Sequence, residues 1–271
     1  MNLPILSEPE QLAALLGDEA LIVVDLSNAA SYAEAHIPGA IHLDYAMLVG
    51  GNKPAPGLLP DIARLNAIGS YIGLTADRHV VAYDNEGSGR ASRLLWTLHV
   101  LGHYQVSVLN GGIHSWTDEG RELSRAISTH TRSAYTANPG TEAIADLGYI
   151  GARLGSPELG LLDARTPEEF TGANARALRA GHIPGAYNLN WLDTIDRNRA
   201  LRLKPATTLQ AMLDSGDLTA DKEIITYCQT HHRSAHSYMM LKSLGYPNVR
   251  GYAGSWSEWG NNPDTPVEIG S

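Results

Sequence analysis

Residues 21–25 read Leu-Ile-Val-Val-Asp, a short apolar run of the kind that forms a strand buried on both faces of a parallel sheet. A polar turn follows, and then Tyr32-Ala33-Glu34-Ala35-His36-Ile37-Pro38-Gly39-Ala40. The pattern returns as Gly160-Leu161-Leu162-Asp163, then Thr166-Pro167-Glu168-Glu169-Phe170, then Gly181-His182-Ile183-Pro184-Gly185-Ala186. In both copies the aromatic residue lies seven positions after the aspartate, and the second copy carries an Arg- and Ala-rich insertion before its histidine. Further on, Val80-Val81-Ala82-Tyr83-Asp84 matches Ile224-Ile225-Thr226-Tyr227-Cys228, and Arg90 matches Arg233. From each arginine, glycines follow at the same offsets of 12 (Gly102, Gly245) and 21 (Gly111, Gly254), and Trp116 and Trp259 close the two copies. The chain is therefore an internal duplication.

Within each copy, apolar strands alternate with helix-length segments, including an amphipathic stretch after Arg233 that ends at Gly245. That alternation predicts an α/β fold: two similar domains, each a mainly parallel sheet flanked by helices. Arg121 to Gly140 lacks an apolar period, is rich in Ser, Thr and Ala, and contains the turn signal Asn138-Pro139-Gly140. The expected organisation is a first domain over 1–125, a linker over 126–142 and a second domain over 143–271. The Pro- and Gly-rich stretch from Gly50 to Pro60 reads as a surface loop of the first domain.

Composition narrows the function. The chain has 271 residues, 43% hydrophobic and 18% charged, with a net charge of −9, which argues against nucleic acid or an anionic membrane as partner. No apolar run approaches a membrane span, and Met1 to Glu8 shows no secretory pattern, so a cytoplasmic protein is expected. A single cysteine, Cys228, suits a reducing compartment and leaves no internal thiol to resolve an adduct.

Cys228 stands where a buried strand stops and a helix begins, in the loop Cys228-Gln229-Thr230-His231-His232-Arg233. Backbone N–H groups at the positive end of a helix favour a thiolate there, and those of residues 229–233 are expected to cradle it. No Asp or Glu lies between Ile224 and Ser257, whereas His231, His232, Arg233, His236, Lys242 and Arg250 do, which predicts a basic island suited to an anionic substrate. The first copy has Asp84 at the cysteine's position, followed by Glu86, and is expected to wall the site rather than react.

The duplicated His-Ile-Pro-Gly-Ala element, the cysteine loop at a strand end and the Gly-Ser-Trp-Ser-Glu-Trp of residues 254–259 resemble the tandem-domain rhodanese and mercaptopyruvate sulfurtransferase family. The loop itself is similar to that of the Azotobacter-type bacterial rhodaneses. The resemblance implies two rhodanese-like domains, the first silent and the second carrying a persulfide-forming cysteine at the domain interface. It implies sulfur transfer from a small anionic donor, thiosulfate, to cyanide or another thiophilic acceptor, with no cofactor beyond the covalent cysteine persulfide. The alternatives are 3-mercaptopyruvate as donor, or a sulfur carrier for a protein acceptor. Gln229 and Thr230 depart from the Cys-Arg-Lys-Gly-Val-Thr and Cys-Gly-Ser-Gly-Val-Thr loops of other branches, and Glu169 stands where the animal enzymes have a substrate-binding arginine. Arg176 or Arg179, in the insertion, and Trp191 are the candidates for the substrate side.

Other readings are weaker. Cys228, His231, His232 and His236 as a zinc set fails on placement, because a strand-to-helix turn spreads them around a ring, so no metal is expected. A phosphatase is disfavoured because Cys228 to Arg233 is one residue shorter than a C-x5-R phosphate loop. His36, His182, Asp25 and Asp163 recur in both copies and read as structural.

Overall fold

The computed structural model describes residues 3–128 and 130–270; Met1, Asn2, Ser271 and Thr129, the last in the expected linker, lie outside the described residues. The first unit contains a five-stranded sheet built from β1 (Leu6–Ser7), β2 (Leu21–Asp25), β3 (Ile41–His42), β4 (His79–Tyr83) and β5 (Val106–Leu109). Its order is β1-β5-β4-β2-β3, parallel throughout. The helices α1 (Pro9–Ala13), α2 (Ala29–Glu34), α3 (Ile62–Tyr71), α4 (Gly89–Val100) and α5 (Gly112–Asp118) accompany it.

The second unit repeats this topology. Strands β6 (Ile144–Ala145), β7 (Leu159–Asp163), β8 (Tyr187–Asn188), β11 (Glu223–Tyr227) and β12 (Val249–Tyr252) run in the order β6-β12-β11-β7-β8, again parallel. Its helices are α6 (Leu147–Gly151), α7 (Pro167–Thr171), α8 (Ala206–Asp214), α9 (Arg233–Ser243) and α10 (Ser255–Trp259). Even the register repeats: Asp25 pairs with Tyr83 in one sheet and Asp163 with Tyr227 in the other.

The compact units are not contiguous in sequence. The first comprises Met1–Val49, Pro60–Gly140 and Ile195–Leu203; the second comprises Gly50–Leu59, Thr141–Thr194 and Lys204–Ser271. The polar stretch expected as a surface loop of the first domain thus belongs to the second unit. In turn the antiparallel hairpin of β9 (Ile195–Asp196) and β10 (Arg202–Leu203) belongs to the first, where Arg202 meets Glu8 and Glu119. Residues 133–137 lie by α3, with the Ala137 N–H donating to Asn66 at 2.6 Å and the Ser133 hydroxyl to the Leu74 carbonyl at 2.7 Å.

Equivalent apolar positions fill the two cores. Val23, Ile37, Val81, Tyr83 and Trp116 cluster in the first, and Leu161, Ile183, Ile225, Tyr227 and Trp259 in the second. Each tyrosine hydroxyl accepts the N–H of the isoleucine in the His-Ile-Pro-Gly element, at 3.0 Å from Ile37 and 3.2 Å from Ile183. The histidines of that element stack on the preceding aromatic, His36 on Tyr32 at 4.0 Å and His182 on Phe170 at 3.6 Å, with Nδ1 facing the same residue's carbonyl at 2.8 Å. Replacing Trp259 by Ala would cost about 3–5 kcal/mol through lost burial and the cavity left behind.

The segment after Arg233 is not amphipathic in place: residues 234–241 of α9 are all buried. The helix packs on β11, β12 and β7 and on the short helical turn Trp191–Thr194, so small and polar side chains such as Ser234 and Ser237 face neighbours rather than water.

Candidate active site

Strand β11 ends at Tyr227, and Cys228 is the first residue beyond the sheet, a free thiol with 0% exposure. The loop that follows is clamped from behind by the start of α10. The Ser255 hydroxyl accepts the N–H of Cys228 at 3.3 Å and of His231 at 3.1 Å, and donates to the Tyr252 carbonyl at 2.7 Å. Trp256 and Ser257 donate their N–H groups to the carbonyls of Cys228 at 2.9 Å and Gln229 at 3.1 Å. These bonds hold two residues in the left-handed region, His231 at φ 55° and Ser255 at φ 51°, a cost of about 1–2 kcal/mol each that the network offsets.

Burial alone pushes the Cys228 thiol up. The Arg233 charge, the Ser234 hydroxyl and N–H, and the Thr230 N–H outweigh it, and the pKa falls from 9.0 to about 7. His231 Nδ1 lies 2.7 Å from Ser234 Oγ. With the Ser234 hydroxyl donated to the sulfur, an Nδ1–H on His231 donates to Oγ, and the three side chains form a buried hydrogen-bonded series.

Arg233 is fixed from outside the loop. Glu169 receives its guanidinium in a two-pronged pair, at 2.6 Å and 3.0 Å. Glu169 is the third residue of α7, and its own position is set by a capping box with Thr166 and by Pro167 at the first turn. Burial pushes the Glu169 carboxyl up, but the Arg233 hydrogen bonds and charge dominate and hold it below the usual carboxylate range. The residue at the animal enzymes' substrate-arginine position therefore orients the loop arginine.

The other expected site residues separate. Gln229 donates its amide N–H to the Arg176 carbonyl at 3.1 Å, which ties the insertion to the loop. His231 is buried in the series above, and His232 meets the edge of Trp191 with ring centroids 5.8 Å apart. Trp191 also packs on His236, whose Nε2 is 2.9 Å from Thr194 Oγ1.

Three expectations are corrected. Arg179 does not face the loop: its guanidinium donates to the carbonyls of Trp259 at 2.8 Å and of Asn262 and Thr265, because the insertion turns it toward the C-terminal segment. The cradle is not formed uniformly by residues 229–233, since the His231 N–H is committed to Ser255 while Ser234, one residue further on, faces the sulfur. The basic island is largely tied up by partners, because Arg233 pairs with Glu169 and Arg250 with Glu223 at 2.7 Å, and Lys242 donates to the Pro247 carbonyl at 2.7 Å. Among the described residues, no group of three His, Cys, Asp or Glu side chains is arranged to hold a metal ion.

Ser234, Ser255 and Arg165 were not singled out from sequence. Arg165 is fully buried; its guanidinium grips Asp163, with Nη2 at 2.6 Å from Oδ2, and lies 4.6 Å from the Trp256 ring. Ser255 had a signal. Its counterpart, Gly112, has φ 57°, so a serine at the same left-handed position bears a conformational cost that a specific contact must offset.

The sister loop holds an acidic side chain of its own. Asp84 is 1% exposed; its Oδ1 accepts the N–H groups of Glu86 at 3.0 Å and Ser88 at 2.9 Å, and its Oδ2 accepts that of Ala91 at 2.9 Å. Ala91 is the counterpart of Ser234, so the two loops present N–H groups to the same place at the end of the strand.

Comparison with known proteins agrees with this duplication. A family described as "Rhodanese-like domain" matches twice, over residues 8–119 and 147–262. The chain is 46% identical to a thiosulfate sulfurtransferase of Pseudomonas aeruginosa and 44% identical to one of Azotobacter vinelandii, each alignment covering 99% of this chain and 98% of the relative. It is 30% identical to a 3-mercaptopyruvate sulfurtransferase of Escherichia coli, over 90% of this chain and 87% of the relative. Two copies of one α/β unit, one with aspartate and the other with cysteine as the first residue past its central strand, make this chain a tandem member of the rhodanese-like domain family.

Proposed function

We propose that the protein is a thiosulfate sulfurtransferase that works through a persulfide on Cys228. The observation that carries this reading is a lone thiol, lowered to about 7 in a loop that contains no carboxylate. At neutral pH about half of it is thiolate. The thiolate attacks the sulfane sulfur of thiosulfate, a new S–S bond forms, and the bond to the sulfonate sulfur breaks with its electron pair leaving on sulfite. Arg233 and the N–H groups of Thr230 and Ser234 then face the persulfide anion. An acceptor such as cyanide attacks the outer sulfur and returns the Cys228 thiolate.

Thiosulfate is preferred over 3-mercaptopyruvate as donor because the relatives that share 46% and 44% identity bear the former name and the one at 30% the latter. A lone cysteine suits the reducing cytoplasm, and no helix among the described residues is long and apolar enough to cross a membrane. Intact-mass measurement after incubation with thiosulfate should show one added sulfur atom per chain, removed by cyanide and absent from Cys228→Ala. An adduct that persists in Cys228→Ala would overturn the assignment.

A further inference from the structure

Three buried side chains around the reactive loop differ from their counterparts in the first copy. Thr226 interrupts the apolar run of β11, and its hydroxyl donates to the Ser234 carbonyl at 3.0 Å. Ser234 Oγ in turn faces the Cys228 sulfur and lies 2.7 Å from His231 Nδ1. All three residues are 0% exposed. Counted from Tyr83 and from Arg90, the matching residues of the first copy are Ala82, Ala91 and Ser88. The backbone there is nonetheless alike, since Ser88 at φ 74° and His231 at φ 55° both take the left-handed turn before the helix. The turn itself thus needs no imidazole, and burying one costs free energy that its hydrogen bonding must offset.

A hydroxyl has one proton to give. Ser234 has two neighbours able to take it, the sulfur and the imidazole, and a serine in the first turn of a helix also turns readily to a backbone carbonyl. An imidazole that carries its proton on Nδ1 closes those other choices. The ring then donates to Oγ, and the serine proton is left for the sulfur. Successive hydrogen bonds also polarise one another, so the bond from the ring strengthens the one that Ser234 makes. The charge of Arg233, which Glu169 of α7 fixes, acts on the sulfur separately.

We propose that His231 is a positioning residue, whose Nδ1–H holds the Ser234 hydroxyl aimed at Cys228 and so keeps the thiolate available between turnovers. The inference rests on the persulfide reading above. His231 touches neither donor nor acceptor in this role, and its proton stays on the ring throughout.

The test titrates the Cys228 thiolate by ultraviolet absorbance in single and double variants. His231→Ala should raise the midpoint by about half a unit to one unit, as Ser234→Ala does. The double variant should shift no further than either single one, since His231 acts only through Ser234. His231→Asn should restore the wild-type midpoint, because an asparagine amide places an N–H near the Nδ1 position and tolerates the left-handed backbone. A midpoint unmoved by His231→Ala, shifts that add in the double variant, or an asparagine no better than alanine would each overturn the inference. If His231→Ala does not fold, the nitrogen chemical shifts of isotope-labelled wild type decide. Above the midpoint, the ring whose signals vanish in His231→Asn should carry its proton on Nδ1; a proton on Nε2 alone overturns the inference. Persulfide loading from thiosulfate is read by mass in the same samples. A wild type that never gains sulfur refutes the sulfurtransferase reading; one that loads, with a midpoint indifferent to His231, refutes this inference alone.

Discussion

The loops after Tyr83 and Tyr227 are two answers to one geometry. Each follows a central parallel strand, and each gathers backbone N–H groups around the first residue past the sheet. In the first copy that residue is Asp84, whose carboxylate takes three N–H groups and stays there permanently. Burial, and then the neighbouring Glu86 charge, push its pKa up despite those bonds. In the second copy the residue is Cys228, and no acidic side chain shares its loop. The arginines differ in the same sense: Arg90 pairs with Glu86 inside its own loop at 3.1 Å, whereas Arg233 is held by Glu169 from α7. A ring of N–H donors at the end of the central strand is thus a property of the duplicated fold. Chemistry requires a nucleophile in it, no carboxylate beside it, and an arginine braced from elsewhere so that its charge still reaches the sulfur.

Putting the first copy's residue into the second should have the largest effect. Cys228→Asp should fold, with its carboxylate in the cradle, and thiocyanate production from thiosulfate and cyanide should fall by at least about a thousandfold, because the covalent route is gone. Retained turnover would break the comparison. Arg233→Gln comes next: it takes the two-pronged partner from the 3% exposed Glu169 carboxylate, so urea denaturation should show a loss of about 3 kcal/mol. Asp84→Ala leaves three buried N–H groups without an acceptor and should cost about 2 kcal/mol in the same assay. Its thiocyanate rate should match wild type on the proposed reading that Cys228 alone carries the sulfur; a large loss of rate would give Asp84 a role that this reading denies it. Ser234→Ala is the smallest change. With one hydrogen bond to the thiolate removed, the pH at which persulfide formation reaches half its maximum should rise by about half a unit to one unit.

Much of this was legible in the sequence because it is local or repeated. The strands at residues 21–25 and 224–226 are short apolar runs, the His-Ile-Pro-Gly elements and offset glycines mark the duplication, and Cys228 stands where its sister has Asp84. What was not legible depends on contacts far apart in the chain. Glu169 and Arg233 are 64 residues apart, and neither spacing nor residue type reveals that the carboxylate orients the loop arginine. Arg179 and Arg176 lie three residues apart in an insertion without a counterpart; their opposite fates follow from the turns on either side. The Gly50–Leu59 segment is polar and looked like a free surface loop, yet its glycine permits close approach to Thr230. The basic island was inferred from the absence of acids in one stretch, and the acids that match it come from just outside or from far away.

The central claim is that the second loop holds its cysteine as an available thiolate. The direct measurement is the pH dependence of thiolate ultraviolet absorbance, taken as the difference between wild type and Cys228→Ser so that the tyrosines cancel. A single cysteine makes the signal unambiguous. The account predicts thiolate appearing as pH rises through about 7, with persulfide formation rising alongside it and levelling off above. A midpoint near the ordinary value of 9.0 would contradict it.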